Sequence, residues 1–524
     1  MSTQPAAIPD KPALEGLEGK WSPVWEANGT YRFDRDSATR GNVFSVDTPP
    51  PTASGSLHIG HVFSYTHMDL VTRFQRMRGR DIFYPMGWDD NGLPTERRVQ
   101  NYYGVRCDPT LPYDPSFTPP LEGGDNASSK AADQVPISRR NFIELCETLT
   151  AEDEKQFEDL WRQLGLSVDW NLTYRTIGRE AQLAAQRAFV RNLARGEAYQ
   201  ADAPTLWDIT FRTAVAQAEL EDKEQPAAYH RVSFHKPDGS TVEIETTRPE
   251  LLPACVALVA HPDDERYQHL FGTTVTTPLF GVEVPVLAHH LAQKDKGSGI
   301  AMICTFGDVT DVVWWRELDL PNRTIIGADG RIVPDAPEAL SPAAVEVYQE
   351  LVGKTVFSAK ARVVELLKES GEMIGDPKPI THAVKFFEKG DKPLEIISTR
   401  QWYIKNGARD AALRDRLLAA GQQIGFTPEH MRIRYENWVG GLTGDWLISR
   451  QRFFGVPIPV WYELDANGEK GAPIVPAEDA LPVDPSSDVP PGYTEADRGI
   501  TFVGELDIMD TWATSSLTPQ IAGG

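Results

Sequence analysis

Cysteine is scarce in this chain: there are four in 524 residues, Cys107, Cys146, Cys255 and Cys304. They are far apart and form no CxxC pair, which argues against a disulfide framework and against a cysteine-rich zinc site. Long apolar runs are missing too. No stretch approaches the roughly 18 uninterrupted apolar residues that a membrane span needs. The start, MSTQPAAIPDKPALEGLEGK, has neither a basic head nor an apolar core and does not read as a signal peptide. With both signals absent, no membrane partner is expected and the cytoplasm is the expected compartment. Positive charge is also in deficit. Lys and Arg number 52 against 75 Asp and Glu, a net charge of −23. That balance argues against a protein held on nucleic acid by bulk electrostatics, so any RNA contact must use local basic patches.

What is present is ordinary for a globular protein with two or three sizeable cores. Val43 to Val46 reads as a short strand ended by Asp47, Thr48 and three prolines. A helix is predicted from about Ser56 to Met77, closed by Arg78-Gly79, and a second strand runs through Asp81 to Tyr84. Strand, helix, strand over about forty residues is a βαβ unit and implies a parallel sheet. Residues 105–140 are rich in Pro, Gly, Asp and Ser and read as an irregular insertion. Helices are predicted for 150–165 and 178–195. From 208 to 375 the texture becomes β-rich, with runs at Thr241–Glu245, Val256–Val259 and Val282–Leu287, and a helix near 358–370 capped by Gly371. The predicted organisation is an α/β domain, begun by residues 1–207 and resumed by 376–524, interrupted by an inserted β-rich domain at 208–375. Helical texture is expected after 400, and a loop over 466–498.

The segment Gly55-Ser56-Leu57-His58-Ile59-Gly60-His61 sits where the first strand turns into the first helix. Histidines three apart share one helix face. Free backbone N–H groups and the helix dipole favour an anion there, and two imidazole donors would suit a triphosphate. Gly60 removes a side chain and lets a flat ring approach the backbone. Two alternatives stand beside this: histidines that merely open an amphipathic helix, and a zinc pair, for which no third ligand is near.

PPPTASGSLHIGH (49–61) resembles the HIGH signature of class I aminoacyl-tRNA synthetases. FYPMGWDDNGLPTE (83–96), THAVK (381–385), LEIISTRQWYI (394–404), WLISRQRFFGVPIPVWY (446–462) and DIMDTWATSS (507–516) resemble later segments of the valyl, isoleucyl and leucyl branch, in family order. Pro49-Pro50-Pro51 and Asp510-Thr511-Trp512 look valyl, with an isoleucyl enzyme as the alternative. Gly87-Trp88-Asp89-Asp90-Asn91-Gly92 departs from the usual bacterial valyl GTDHAG and is similar to an archaeal-like subgroup. The resemblance implies a Rossmann-like catalytic domain that binds ATP, with Mg²⁺ as its substrate complex. Such an enzyme would activate valine and transfer it to tRNA(Val), and a monomer is expected. His58 and His61 would be catalytic, and with Thr52 and Gly60 would bind ATP. Pro50, Asp89 and Trp512 would hold valine, with Trp512 as an ordinary core residue the competing reading. The lysine-rich KMSKS loop of the family is not found in these residues, and the anticodon-binding domain would come later. The chain is therefore expected to be an N-terminal part, and a non-charging editing or RNA-binding fragment is a further alternative.

Threonine is nearly isosteric with valine, and an apolar pocket rejects it by only about 10², the figure known for valine against threonine, so a second, hydrolytic site is required. VEIETTRPE (242–250), AHPDDERY (260–267) and KDKGSGIAMICTFGDVTD (294–311) resemble the family's editing domain. Thr246, Arg248, Asp308 and Asp311 match its functional positions. Met302 stands where the family's lysine falls and Cys304 where its threonine falls. Arg248 paired on the surface with Glu250 or Glu245, and Asp311 as a helix N-cap, are the structural alternatives. The segment after His382, where many relatives carry a cysteine zinc knuckle, has no thiolate, and no metal ligand is assigned.

Overall fold

Val43–Ser45 and Asp81–Phe83 pair in parallel, with the helix Ile59–Met77 between them, as the hydrophobic pattern predicts. The computed structural model describes residues 16–52, 57–121, 123 and 133–524. Gly55, Ser56, the polar lead-in up to residue 15 and part of the 105–140 insertion lie outside the described residues. Two further parallel pairs join Met86–Trp88 to Thr173–Arg175 and Val105–Cys107 to Val135–Ile137.

Among the described residues, those up to 197 and those from 449 onward form one compact unit, and 198–448 a second. In the first, Tyr65 and Ile82 pack with Tyr84, Met86, Trp88, Phe157 and Trp161. The Trp88 and Trp161 rings stack at 5.6 Å. The helix Arg139–Gln163 starts eleven residues earlier than predicted, because Ser138 caps it by accepting the Asn141 N–H at 3.2 Å. On the helix Ile59–Met77 the residues Ile59, Phe63, Leu70, Phe74 and Met77 are exposed.

The second unit is wider than the 208–375 block. Ala198–Asp208 pairs along its length with Glu395–Ile404, and Leu220–His235 pairs with both Thr241–Thr246 and Lys378–Phe387. These strands reach past the β-rich block on both sides and tie its flanks into one body. The large sheet runs in the order Thr241–Thr246, Leu220–His235, Thr274–Thr276, Glu283–Ala288, Cys255–Ala260, Ile300–Cys304, with Lys378–Phe387 also on Leu220–His235. The helix Val356–Ser370 ends at Gly371 in the left-handed conformation, φ 78°. Helices do follow residue 400, at Ala411–Gly421 and Arg432–Gly440, but only after the strand Glu395–Ile404. Inside the expected loop 466–498, Lys470–Ile474 is a strand, paired with Trp461–Leu464.

Candidate functional site

His58 is the N-cap of its helix in extended backbone, φ −124°. Its Nδ1 accepts the Gly60 N–H at 3.1 Å, and its own N–H is donated to Nδ1 of His61 at 3.4 Å. The two rings stack with centroids 4.0 Å apart. Because both Nδ1 atoms accept, each neutral imidazole carries its proton on Nε2, and those N–H groups are the donors left for a ligand. Burial, and then the neighbouring His58, hold His61 below its ordinary value, so it is neutral near pH 7. Gly60 has a second reason to be glycine: a Cβ there would meet Cε1 and Nδ1 of His58 at 3.0 Å and press on the cap.

Asp89 lies against the proline loop. Its N–H is donated to the Pro51 carbonyl at 2.9 Å, and it forms a parallel bridge with Thr52. Thr176 fixes this arrangement. Its hydroxyl donates to Asp89 Oδ1 at 3.3 Å and accepts the Asp90 N–H at 3.2 Å. Gly87 lets Tyr174 lie over the same strand, since a Cβ there would fall 2.3 Å from the ring. Asp90 is fully buried, with Arg175 Nε 3.4 Å from Oδ2. Burial, and then the Glu154 charge, push its carboxyl up to about 8. Trp512 is 57% exposed, which rules out the ordinary-core reading. Its N–H is donated to Asp510 Oδ1 at 3.3 Å, and Asp510 holds buried Arg450 at 2.9 Å. Thr176, Arg175 and Glu154 escaped sequence reasoning because nothing in their local pattern marks them. Asp90 and Glu96 lay inside a quoted motif without a role.

Arg248, Asp308 and Asp311, three of the four positions matched to an editing domain, meet around Gly307 in the second unit, with Thr246 two residues before Arg248. The Gly307 N–H is donated to Asp311 Oδ2 at 2.7 Å, and its carbonyl accepts from Arg248 Nη1 at 3.4 Å. Arg248 also holds Glu250 at 2.5 Å and Glu395 at 2.8 Å, whereas Glu245 pairs with Arg231. Its guanidinium is therefore held by two carboxylates and a carbonyl. Thr246 Oγ1 accepts the Arg248 N–H at 3.0 Å. Asp308, not Asp311, is the N-cap of the helix Val309–Glu317, accepting from Thr310 and Asp311. Asp311 is buried one turn in, and burial, and then the Asp308 charge, raise its carboxyl well above the usual range. Cys304 is buried beside Cys255, its partner across the strands, a proximity the sequence spacing hides. One residue before Thr246, on the opposite face of the strand, Glu245 helps line a cavity of about 880 Å³ with Tyr229, His261, Lys294, Lys296 and Lys378.

Replacing Gly307 by alanine would put a Cβ 2.7 Å from Asp311 Oδ2. Asp311 is short and buried and cannot swing away without losing its backbone donor, so a loss of about 1–3 kcal/mol is expected in urea unfolding. A loss below about 0.5 kcal/mol would contradict this packing.

Among the described residues no group of three or more His, Cys, Asp or Glu side chains converges as a metal site. Among the same residues no helix is long and apolar enough to cross a membrane.

The profile of the class I tRNA synthetases (I, L, M and V) matches residues 20–110 and 125–522. The chain is 75% identical to a valine--tRNA ligase of Leifsonia xyli subsp. xyli (strain CTCB07), over 99% of this chain and 61% of that protein. It is 69% identical to the valine--tRNA ligase of Thermobifida fusca (strain YX), over 99% and 58%, and 63% identical to that of Bifidobacterium longum (strain DJO10A), over 98% and 57%. The chain thus spans about three fifths of the length of the curated relatives it matches.

Proposed function

The chain belongs to the class I tRNA synthetases of the isoleucyl, leucyl, methionyl and valyl group, and from that premise we propose that it carries the valine-activating and proofreading sites of a valine--tRNA ligase. The observation that carries the activating site is the paired histidine cap, with both Nε2–H groups uncommitted at a helix N-terminus. In the proposed reaction an oxygen of the valine carboxylate attacks the α-phosphorus of ATP. The bond to the leaving pyrophosphate breaks and valyl-adenylate forms. The 2′-hydroxyl of the tRNA end then attacks the valyl carbonyl, and AMP leaves. No protein nucleophile is needed, so His58 and His61 act by placing donors where phosphate charge develops, with Thr52 and Gly60 beside them. Asp89, held by Pro51 and Thr176, offers its carboxylate to the valine ammonium, with the Pro50 carbonyl beside it. The exposed Trp512 indole supplies a wall for the isopropyl group. Mg²⁺ would enter on the triphosphate oxygens, neutralising their charge.

For proofreading, Thr246, Arg248, Asp308 and Asp311 form the site; Asp311, held above the usual carboxylate range while empty, gives up its proton as the misplaced threonine's ammonium enters and becomes its opposite charge. Relatives named valine--tRNA ligase over nearly the whole chain favour valine over isoleucine. The proposed partners are valine, ATP and tRNA(Val), the working form a monomer and the location the cytoplasm.

Calorimetric titration of the 524-residue chain tests the first site. Valine should bind more tightly than isoleucine, and Asp89→Ala should abolish valine binding while ATP still binds. His58→Ala with His61→Ala should do the reverse. Valine affinity unchanged by Asp89→Ala would sink the assignment. For the second site, Asp311→Ala should slow hydrolysis of threonyl-tRNA(Val) by at least about tenfold, because the ammonium loses its opposite charge. Equal rates in wild type and variant would count against it.

A further inference from the structure

We propose that Arg316 and Arg409, beside the stacked Tyr199–Tyr403 pair, form a binding site for the sugar-phosphate backbone of single-stranded RNA on the unit 198–448. The inference rests on the reading that RNA is a partner, and adds where this unit grips it. In a chain with 75 acidic against 52 basic residues, a guanidinium without a carboxylate is informative. Among the described residues neither Arg316 nor Arg409 makes an ion pair or a hydrogen bond. Yet acids stand beside both, and each is committed elsewhere. Glu317 holds His289 at 2.7 Å. Asp410 caps the next helix by accepting the Leu413 N–H at 3.0 Å. Asp445 accepts the Tyr199 hydroxyl at 2.7 Å and the Asn406 N–H at 3.4 Å.

The two cations are close enough to feel each other: burial, and then Arg409, hold Arg316 below its ordinary value. Like charges this near, offset in part by Asp445 while that carboxylate also holds Tyr199, are relieved further by an anion. Tyr199 and Tyr403 are directly opposite in the strand pair, with ring centroids 5.6 Å apart and planes at 23°. Arg409 acts electrostatically on both rings. Guanidinium forks match phosphate bidentately, and aromatic faces beside arginine are how sequence-tolerant single-strand sites are built. A free phosphate would need the cations alone; the tyrosines favour a nucleic acid.

The test is fluorescence anisotropy of a labelled 12-nucleotide single-stranded RNA with the 524-residue chain across a salt series. Arg316→Ala with Arg409→Ala should weaken binding at least about tenfold at low salt. It should also flatten the log K against log salt slope by about 1.4, two contacts at about 0.7 each. The double lysine variant should keep the slope and lose several-fold in affinity, which separates contact from misfolding. Arg331→Ala with Arg362→Ala, the same charge change elsewhere on the unit, should shift binding less than about twofold. Wild-type binding that survives the Arg316/Arg409 change, or that falls equally with the control pair, overturns the site while leaving RNA as a partner. No wild-type binding overturns the partner reading itself. Inorganic pyrophosphate binding at these arginines without competition from RNA also overturns the proposal.

Discussion

Replacing Glu96 by alanine is expected to cost about 3–5 kcal/mol, the penalty for stranding one half of a buried ion pair. Glu96 is fully buried and 356 residues from its partner Arg452, itself only 8% exposed. Oε2 accepts two guanidinium N–H groups, from Nε at 3.0 Å and from Nη2. Oε1 accepts the backbone N–H of Phe453 at 2.8 Å and of Phe454 at 3.0 Å. Alanine removes all four acceptor contacts at once and leaves a buried cation without this carboxylate. The position gives the loss further reach. The chain leaves the first unit after Glu197 and re-enters it at Ser449, and Arg452 lies just past that return. Glu96 fastens the returning segment to the helix Leu93–Tyr103, so its removal should loosen both. Hydrogen exchange should rise in peptides from 93–103 and 449–455, with little change in the strands of 220–260. Glu96→Gln keeps an acceptor for the backbone but drops the charge, and should fall between alanine and wild type. An alanine variant within about 1 kcal/mol of wild type in urea unfolding would show that this pair does not hold the segment.

The parts of the fold carried by local patterns were legible. Val43–Ser45, Ile59–Met77 and Asp81–Phe83 followed from apolar periodicity and the prolines and glycine around them. The histidine pair was legible because spacing on a helix is local geometry. What the sequence hid is long-range. The contacts of Thr176 with Asp89 and of Arg248 with Glu395 join residues 87 and 147 apart. Neither Thr176 nor Glu395 differs, in its neighbours, from a surface polar residue. The second compact unit extends beyond the 208–375 block through the same kind of contact. Periodicity sees the strand Glu395–Ile404 as one more run, whereas its ten-residue pairing with Ala198–Asp208 is a tertiary fact. For Trp512 it is the competing core reading that fails, since the structure exposes the side chain.

Asp90→Asn is expected to stabilise the chain progressively as pH rises, an effect that would place an uncharged carboxyl beside the substrate carboxylate. Asp90 is fully buried, and neither of its oxygens accepts a hydrogen bond from an N–H or O–H group. Burial, and then Glu154, raise it to about 8, with Arg175 opposing and Asp89 adding a smaller push upward. Glu154, the neighbouring carboxyl, is raised as well, chiefly by burial, so the two do not both ionise readily. An unfolded aspartate gives up its proton near pH 4. Between about pH 4 and 8 the folded protein therefore binds the extra proton, and stability falls as pH climbs through that window. The slope is at most about 1.4 kcal/mol per pH unit for a single site, and sharing with Glu154 lowers it. Asparagine cannot ionise, so variant and wild type should be closest at pH 5 and draw steadily apart as pH rises to 8, the variant becoming the more stable. Urea unfolding at pH 5, 6.5 and 8 reads this difference directly, and parallel curves would show Asp90 ionised throughout. The same proton matters for recognition. With Asp90 neutral, Asp89 is the carboxylate that the proposed site would present to the valine ammonium, beside Pro51 and Thr52. Valine affinity should then change little on Asp90→Asn at pH 7, in contrast to its loss on Asp89→Ala.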